Sequence, residues 1–226
     1  MKLQAGDRFV MIGDSVTDCG RARPVGEGNL GLGDGYPKYV DALLQSVYPE
    51  LGIRVLNVGT SGNTVRDLKS RWQTDVMDLK PDFLSIMIGI NDVWRQYDSP
   101  QQKELHIDLS EYESTLQEIV ATVRPHIKGL VLMTPYYLEP NTDDLMRSTM
   151  DQYGKAVRRV AEQYDAIFVD TQAALAPLWE HVYPGSIAWD RVHPNHTGHM
   201  VLARSLLHAL GFEWSRQLEE SGKIHN

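Results

Sequence analysis

Cysteine is almost missing from this sequence. Cys19 stands alone among 226 residues, so no internal disulfide can form. Long apolar runs are missing too, and none approaches the ~18 residues that a membrane-crossing helix needs. Positive charge is short. The 22 Lys and Arg against 30 Asp and Glu leave a formal charge of −8, the wrong sign for a general nucleic-acid binder that must displace counterions. Residues Met1 to Arg8 turn polar where a secretion leader would become apolar. No stretch rich in proline, serine or one charge divides the chain, and no internal repeat is present. Together these absences predict a protein of the reducing cytoplasm that contacts neither nucleic acid nor membrane.

What is there is enough to fold without help. A chain of this length buries roughly 70% of its unfolded surface, so its core needs neither disulfides nor a structural metal. A single domain over residues 1–226 is expected, with the polar end 219–226 as a frayed tail. Five short apolar runs read as strands: Phe9–Gly13, Ile53–Asn57, Phe83–Gly89, Leu130–Met133 and Ala166–Val169. Helical spacing joins Val65, Leu68, Trp72, Val76 and Leu79. It also joins the apolar positions from Tyr112 to Val123 and those from Met146 to Tyr164. A last, well-buried helix is predicted over Thr197–Leu210. Ser110 with Glu113 reads as a capping box, and Pro125 as the stop of that helix. Strand and helix in alternation predict an α/β fold. The simplest form is a three-layer α/β/α sandwich with a five-stranded parallel, flavodoxin-like sheet. Gly20–Gly35 reads as a flexible loop.

In such sheets the ligand crevice lies beyond the carboxyl ends of the strands. Chemistry-bearing residues fall there. Gly13-Asp-Ser-Val-Thr-Asp18 follows the first run, Gly59-Thr-Ser-Gly-Asn-Thr64 the second, Gly89-Ile-Asn-Asp92 the third, and Asp190-Arg-Val-His193 comes after the last. A serine hydroxyl needs a base to become a nucleophile, and His193 is the candidate for Ser15. Asp190, three residues earlier, could hold the far imidazole nitrogen. Taken singly, each also has an ordinary reading: Ser15 as a helix cap, Asp190 as a turn former, His193 as a surface residue.

Jointly, the four motifs in this order resemble the SGNH (GDSL) hydrolase family, with Ser15, Gly62, Asn91 and His193 in its four defining positions. Longer stretches resemble the intracellular bacterial acetylxylan esterases of that family. These are Asp18-Cys-Gly-Arg-Ala-Arg-Pro24, Ser61-Gly-Asn-Thr-Val-Arg-Asp67, Met87-Ile-Gly-Ile-Asn-Asp-Val-Trp-Arg-Gln-Tyr97 and Ala188-Trp-Asp-Arg-Val-His-Pro194. The resemblance implies a serine esterase that removes acetyl groups from xylo-oligosaccharides through an acyl-enzyme, without a cofactor or a metal. Ser15, His193 and Asp190 would be its triad. The backbone N–H groups of Ser15 and Gly62 and the Asn91 amide would form the oxyanion hole. An acetylated saccharide is the implied substrate and a homo-oligomer the implied assembly. Trp189 fits either the core or a platform for a sugar ring, and Trp94 is a second candidate of that kind.

Other readings stay open. A short-chain carboxylesterase, a thioesterase or a lysophospholipase-like hydrolase could use the same machinery. His193, His196 and His199 with Asp190 raise a metal-dependent hydrolase, although Asn195 as a helix cap would turn His196 and His199 away. Gly26-Glu-Gly-Asn-Leu-Gly31 fits a dinucleotide fingerprint but does not directly follow a strand. Asp14 and Asp92 read as structural acceptors. Tyr136 and Tyr137 read as rim residues, and Cys19 as a small packing residue with no histidine partner.

Overall fold

The computed structural model describes residues 1–218, so the expected frayed tail at 219–226 lies outside the described residues. Six strands form one sheet: β1 (Arg8–Gly13), β2 (Gly26–Glu27), β3 (Arg54–Asn57), β4 (Phe83–Met87), β5 (Gly129–Met133) and β6 (Ile167–Val169). Their order across the sheet is β2-β3-β1-β4-β5-β6. The five predicted strands are all present and all parallel, in the flavodoxin-like order with β1 between β3 and β4. The sheet nonetheless has six strands rather than five. The sixth, β2, pairs antiparallel with β3 at the edge, Gly26 opposite Asn57 and Glu27 opposite Leu56.

Nine α-helices connect and cover these strands among the described residues: α1 (Ser15–Asp18), α2 (Gly28–Gly31), α3 (Tyr36–Val47), α4 (Val65–Ser70), α5 (Ile90–Asp98), α6 (Leu109–Val123), α7 (Leu145–Gln163), α8 (Thr171–Leu175) and α9 (His196–Ala209). α3, α8 and α9 pack together as one layer, and α4, α5, α6 and α7 as the other. Burial on both faces explains why β1 after Arg8 reads as an apolar run and why β4 does so but for the buried Ser85. Phe9, Val10, Met11 and Ile12 are fully enclosed, as is Leu84 in β4.

Local details depart from the sequence expectations where tertiary contacts compete. α6 starts at Leu109 because Asp108 takes the cap, accepting from Glu111 N at 2.8 Å. Glu113, the other half of the expected box, instead holds Arg159 of α7, whose Nε donates to it at 2.8 Å. The helix expected from Val65 to Leu79 is interrupted: α4 stops at Ser70, and a π-helical turn over Gln73–Met77 follows. The residue at the break is Arg71, whose guanidinium turns back toward the strand ends.

The stretch 20–35 is built rather than loose, since it contributes both β2 and α2. Arg21, almost fully buried, donates from Nε to Gly59 O at 2.6 Å and from Nη1 to Ala22 O at 3.0 Å and Pro24 O at 2.5 Å. Asn57, at the end of β3, donates to Thr17 O at 2.6 Å and Leu32 O at 2.9 Å while accepting from Gly59 N at 2.8 Å. One buried amide thus ties the 20–35 stretch, α1 and the turn after β3. Removing a buried partner of this kind costs about 1–3 kcal/mol per group left unsatisfied.

Candidate active site

β1 delivers its chain to the sheet's carboxyl edge at Gly13, and α1 begins at once. Asp14 caps α1 by accepting from Val16 N at 3.0 Å. Gly13 is obligatory here because a Cβ would lie 2.3 Å from Thr17 Oγ1 and 2.4 Å from Met87 O. The tight turn leaves Ser15 at the first position of α1 with its Oγ 2.7 Å from His193 Nε2. The residues lie 178 apart in sequence.

His193 sits on the turn Ala188–Asn195, which leads into α9. Asp190 shapes that turn: its Oδ1 accepts from Val192 N at 3.0 Å and from His193 N at 2.9 Å. Its Oδ2 accepts from His193 Nδ1 at 2.6 Å. Asp190 is therefore turn former and imidazole partner at once, and the two readings made from the sequence are not alternatives. A carboxylate only accepts, so Nδ1 carries the ring proton and Nε2 is left to accept from the Ser15 hydroxyl. Partial burial works to raise the Asp190 carboxyl. The bonds from the His193 ring and from the two backbone N–H groups outweigh it and hold the group below its ordinary value. The turn is anchored by Tyr136, whose OH donates to Val192 O at 3.0 Å, and by an Arg191–Glu139 ion pair. Arg191 itself adopts φ 62, a left-handed conformation that this anchoring has to stabilise.

Gly62 and Asn91 come from the turns after β3 and β4. Gly62 has φ +81 and open space where a Cβ would be, so backbone conformation and not packing calls for glycine there. Asn91, buried at the start of α5, donates from Nδ2 to Asn63 O at 2.9 Å, which sets its amide against the residue after Gly62. Arg95 Nη2 donates to Asn91 Oδ1 at 3.4 Å from the other side. Asp18 Oδ2 accepts from Ser61 N and Ser61 Oγ, each at 2.9 Å, and from Arg23 Nη2 at 2.6 Å. The turn holding Gly62 is thereby clamped to α1.

A family model described as the GDSL-like lipase/acylhydrolase family matches residues 11–201. The chain belongs to this family. Within the GDSL-like family it is 60% identical over 217 residues to an acetylxylan esterase from Geobacillus stearothermophilus, covering 96% of this chain and 99% of that one. The crystal structure of Axe2, an acetylxylan esterase from the same organism, superposes with a TM-score of 0.94 at 59% identity, over 96% of this chain and all of that one. LAE5, an alpha/beta hydrolase enzyme from the metagenome of Lake Arreo in Spain, gives 0.91 at 48% identity over 93% and 98% of the two chains.

Around this GDSL-like centre, several side chains stand elsewhere than the sequence suggested. Trp189 is 88% exposed, so the core reading falls. Trp94 is half-buried, its ring centroid 5.8 Å from that of His193. Tyr136 is fully buried beneath the His193 turn and is no rim residue, while Tyr137 is half-buried. His196 is exposed, whereas His199 is buried with Nε2 3.4 Å from Cys19 Sγ. Cys19 thus does have a histidine neighbour. Burial pushes that thiol up to about 12 and His199 down to about 4, so both stay neutral near neutrality. Among the described residues, no three His, Cys, Asp or Glu side chains converge as a metal-binding group.

Asp14 and Asp92 are fully enclosed acceptors, Asp92 Oδ1 taking Val65 N at 3.0 Å. Each keeps one oxygen without a protein partner. Burial raises both carboxyls from 3.8 to about 7. A raised acid pKa means that the folded state holds a proton the unfolded chain has released. The stabilisation is complete below the unfolded value and drains away as pH climbs through the folded value. Asp92→Asn keeps the acceptor for Val65 N and deletes the proton. Urea unfolding from about pH 5 to about pH 8 should therefore shift in the variant's favour relative to wild type. A difference that does not change with pH would contradict the raised carboxyl.

Proposed function

We propose that this protein is a cytoplasmic serine esterase that removes acetyl groups from xylo-oligosaccharides. The observation that carries this reading is the continuous relay Ser15 Oγ–His193 Nε2 at 2.7 Å and His193 Nδ1–Asp190 Oδ2 at 2.6 Å. Ser15 attacks the acetyl carbonyl while His193 accepts its proton. The negative oxygen that develops is received by the N–H groups of Ser15 and Gly62 and by the Asn91 amide, neutral donors that cannot take the proton from His193. The sugar hydroxyl leaves with the proton from His193, and an acetyl-enzyme remains. Water, deprotonated by the same imidazole, then releases acetate. Asp190 keeps the imidazole in the required tautomer and stabilises its charged form.

The acetyl-saccharide assignment is supported by the acetylxylan esterase relatives and by the two tryptophans flanking the triad. Trp189 adjoins Asp190 and offers an exposed face, and Trp94 stands beside the His193 ring. Both suit stacking against the C–H faces of a sugar. A panel of acetylated xylo-oligomers, assayed for free acetate beside aryl esters of increasing chain length, tests it. Rapid deacetylation of the oligomers and a steep fall from acetate to octanoate are expected. Preference for the octanoate ester would move the assignment to an acyl-chain esterase or thioesterase.

The cytoplasmic placement is supported by the single cysteine, which has no disulfide to form. Assembly as a homo-oligomer is supported by Leu30, Leu145 and Tyr183, large apolar side chains all more than two-thirds exposed and outside the proposed sugar site. Light scattering that returns a monomer mass would remove it.

A further inference from the structure

The proposed reaction asks the turn after β3 to present the Gly62 N–H toward the oxygen of an ester bound at Ser15. Nothing packs within 4 Å of where a Gly62 side chain would be, so Gly62 itself does not hold that aim. Neighbouring side chains do. Asp18 holds Ser61 on one side of Gly62, and Asp92 holds Val65 where α4 begins. Between these two stands Arg71.

Arg71 closes α4, and its side chain is only 16% exposed. Nε donates to Asn63 Oδ1 at 2.7 Å. Nη1 donates to Val58 O at 2.6 Å and to Asp75 Oδ2 at 2.7 Å, and Nη2 donates to Gly13 O at 3.0 Å. Gly13 ends β1 two residues before Ser15. Val58 follows β3, and Asn63 follows Gly62. The Asn63 carbonyl is in turn the acceptor for Asn91 Nδ2. One planar group therefore spans the segment carrying the serine and the segment carrying Gly62, and reaches Asn91 through a single further residue.

We propose that Arg71 is a positioning residue for ester hydrolysis, its guanidinium setting the spacing between the Ser15 turn and the Gly62 turn. The inference rests on the serine-esterase reading above. The fork matters more than the charge. Asp75 pairs with the guanidinium locally, and the three remaining acceptors lie in directions that only a rigid, multi-donor plane serves together. A lysine ammonium is a point donor and cannot reach Gly13 O, Val58 O and the Asn63 side chain at once. Without the fork, Gly13 O keeps its bond from Thr60 N, so the strand end and the start of the Gly62 turn stay joined while the Asn63 side of that turn loosens. The oxyanion exists only in the transition state. Misaligned donors therefore appear as a loss in kcat and leave KM nearly untouched.

Steady-state hydrolysis of an aryl acetate by Arg71→Lys, Asn63→Ala and the double variant tests this, alongside Ser15→Ala, thermal melting and circular dichroism. Arg71→Lys should lose roughly 10²-fold in kcat, the scale of losing one oxyanion donor, with KM changed by less than about threefold. Asn63→Ala cuts only the link to the Gly62 turn and should lose about tenfold in kcat. The double variant should be no worse than Arg71→Lys, because both substitutions break one path. Guanidinium chloride at low millimolar concentration should restore part of kcat to Arg71→Ala, and ammonium chloride should not. Arg71→Lys that melts lower yet turns over at the wild-type kcat overturns the proposal, as does a loss confined to KM or an additive double variant. Should Arg71→Lys fail to fold, Asn63→Ala decides on the same criteria. Full activity in Ser15→Ala is a different failure: it removes the serine reading, and the inference about Arg71 with it.

Discussion

Ser15→Ala should fold as the wild type does and lose hydrolysis of an aryl acetate by on the order of 10⁴-fold to 10⁶-fold in kcat. The Ser15 hydroxyl has one side-chain partner, His193, and bonds nothing that α1 needs, because the cap is supplied by Asp14. Melting temperature should therefore stay within a degree or two of wild type, which separates this loss from unfolding. The rate remaining reports how much the oxyanion donors and binding achieve without a covalent step. The wild type should also show a burst of alcohol release if deacetylation is slow, and the variant should show none. Turnover in Ser15→Ala comparable to wild type removes the serine from the reaction.

Asp190→Asn should be nearly as damaging, about 10⁴-fold in kcat, for a reason that the hydrogen bonds make specific. The asparagine Oδ1 can still accept from Val192 N and His193 N, so the turn keeps its shape. Its other end becomes an NH₂ where Oδ2 accepted from His193 Nδ1. Two donors cannot face each other, so the imidazole shifts to the tautomer with the proton on Nε2. That nitrogen then meets the Ser15 hydroxyl as a donor and cannot take its proton. Affinity for substrate should change little, since no sugar contact is removed. Asp190→Ala discriminates turn from tautomer: it loses the backbone bonds as well and should lower the melting temperature, which Asp190→Asn should not. Equal rates for Asp190→Asn and wild type would sink the tautomer account.

How much of this was visible before folding depended on the distance over which each signal acts. The central strands β1 and β4 were legible because burial on both faces leaves a mainly apolar run in the chain itself, and the half-buried edge strand β6 because Ile167, Phe168 and Val169 are all apolar. β2 was not, because two residues, Gly26 and Glu27, carry no periodicity and are a strand only by virtue of Leu56 and Asn57 beside them. The cap of α9 at Asn195 was legible from adjacent residues, with Thr197 N bonded at 3.0 Å. The start of α6 was misread because Ser110 and Asp108 were both competent caps and only packing against α7 chose between them. Arg71 escaped notice for a related cause. It lies between Leu68 and Trp72 in a helix-period run, where apolar spacing marks the buried face and is blind to a cation turning inward at a break.

The site divides along the same line. Position at strand ends, residue type and the three-residue spacing of Asp190 and His193 mark the reacting groups, since these are properties of the chain as written. The 2.7 Å approach of Ser15 to His193, the Cys19–His199 contact and the bridging of Gly13, Val58 and Asn63 by one guanidinium join segments remote from one another in the sequence. Chain order names such groups but holds no record of their separation in space. That separation is set only when the sheet closes its layers and the turns at its carboxyl edge satisfy one another's buried polar groups.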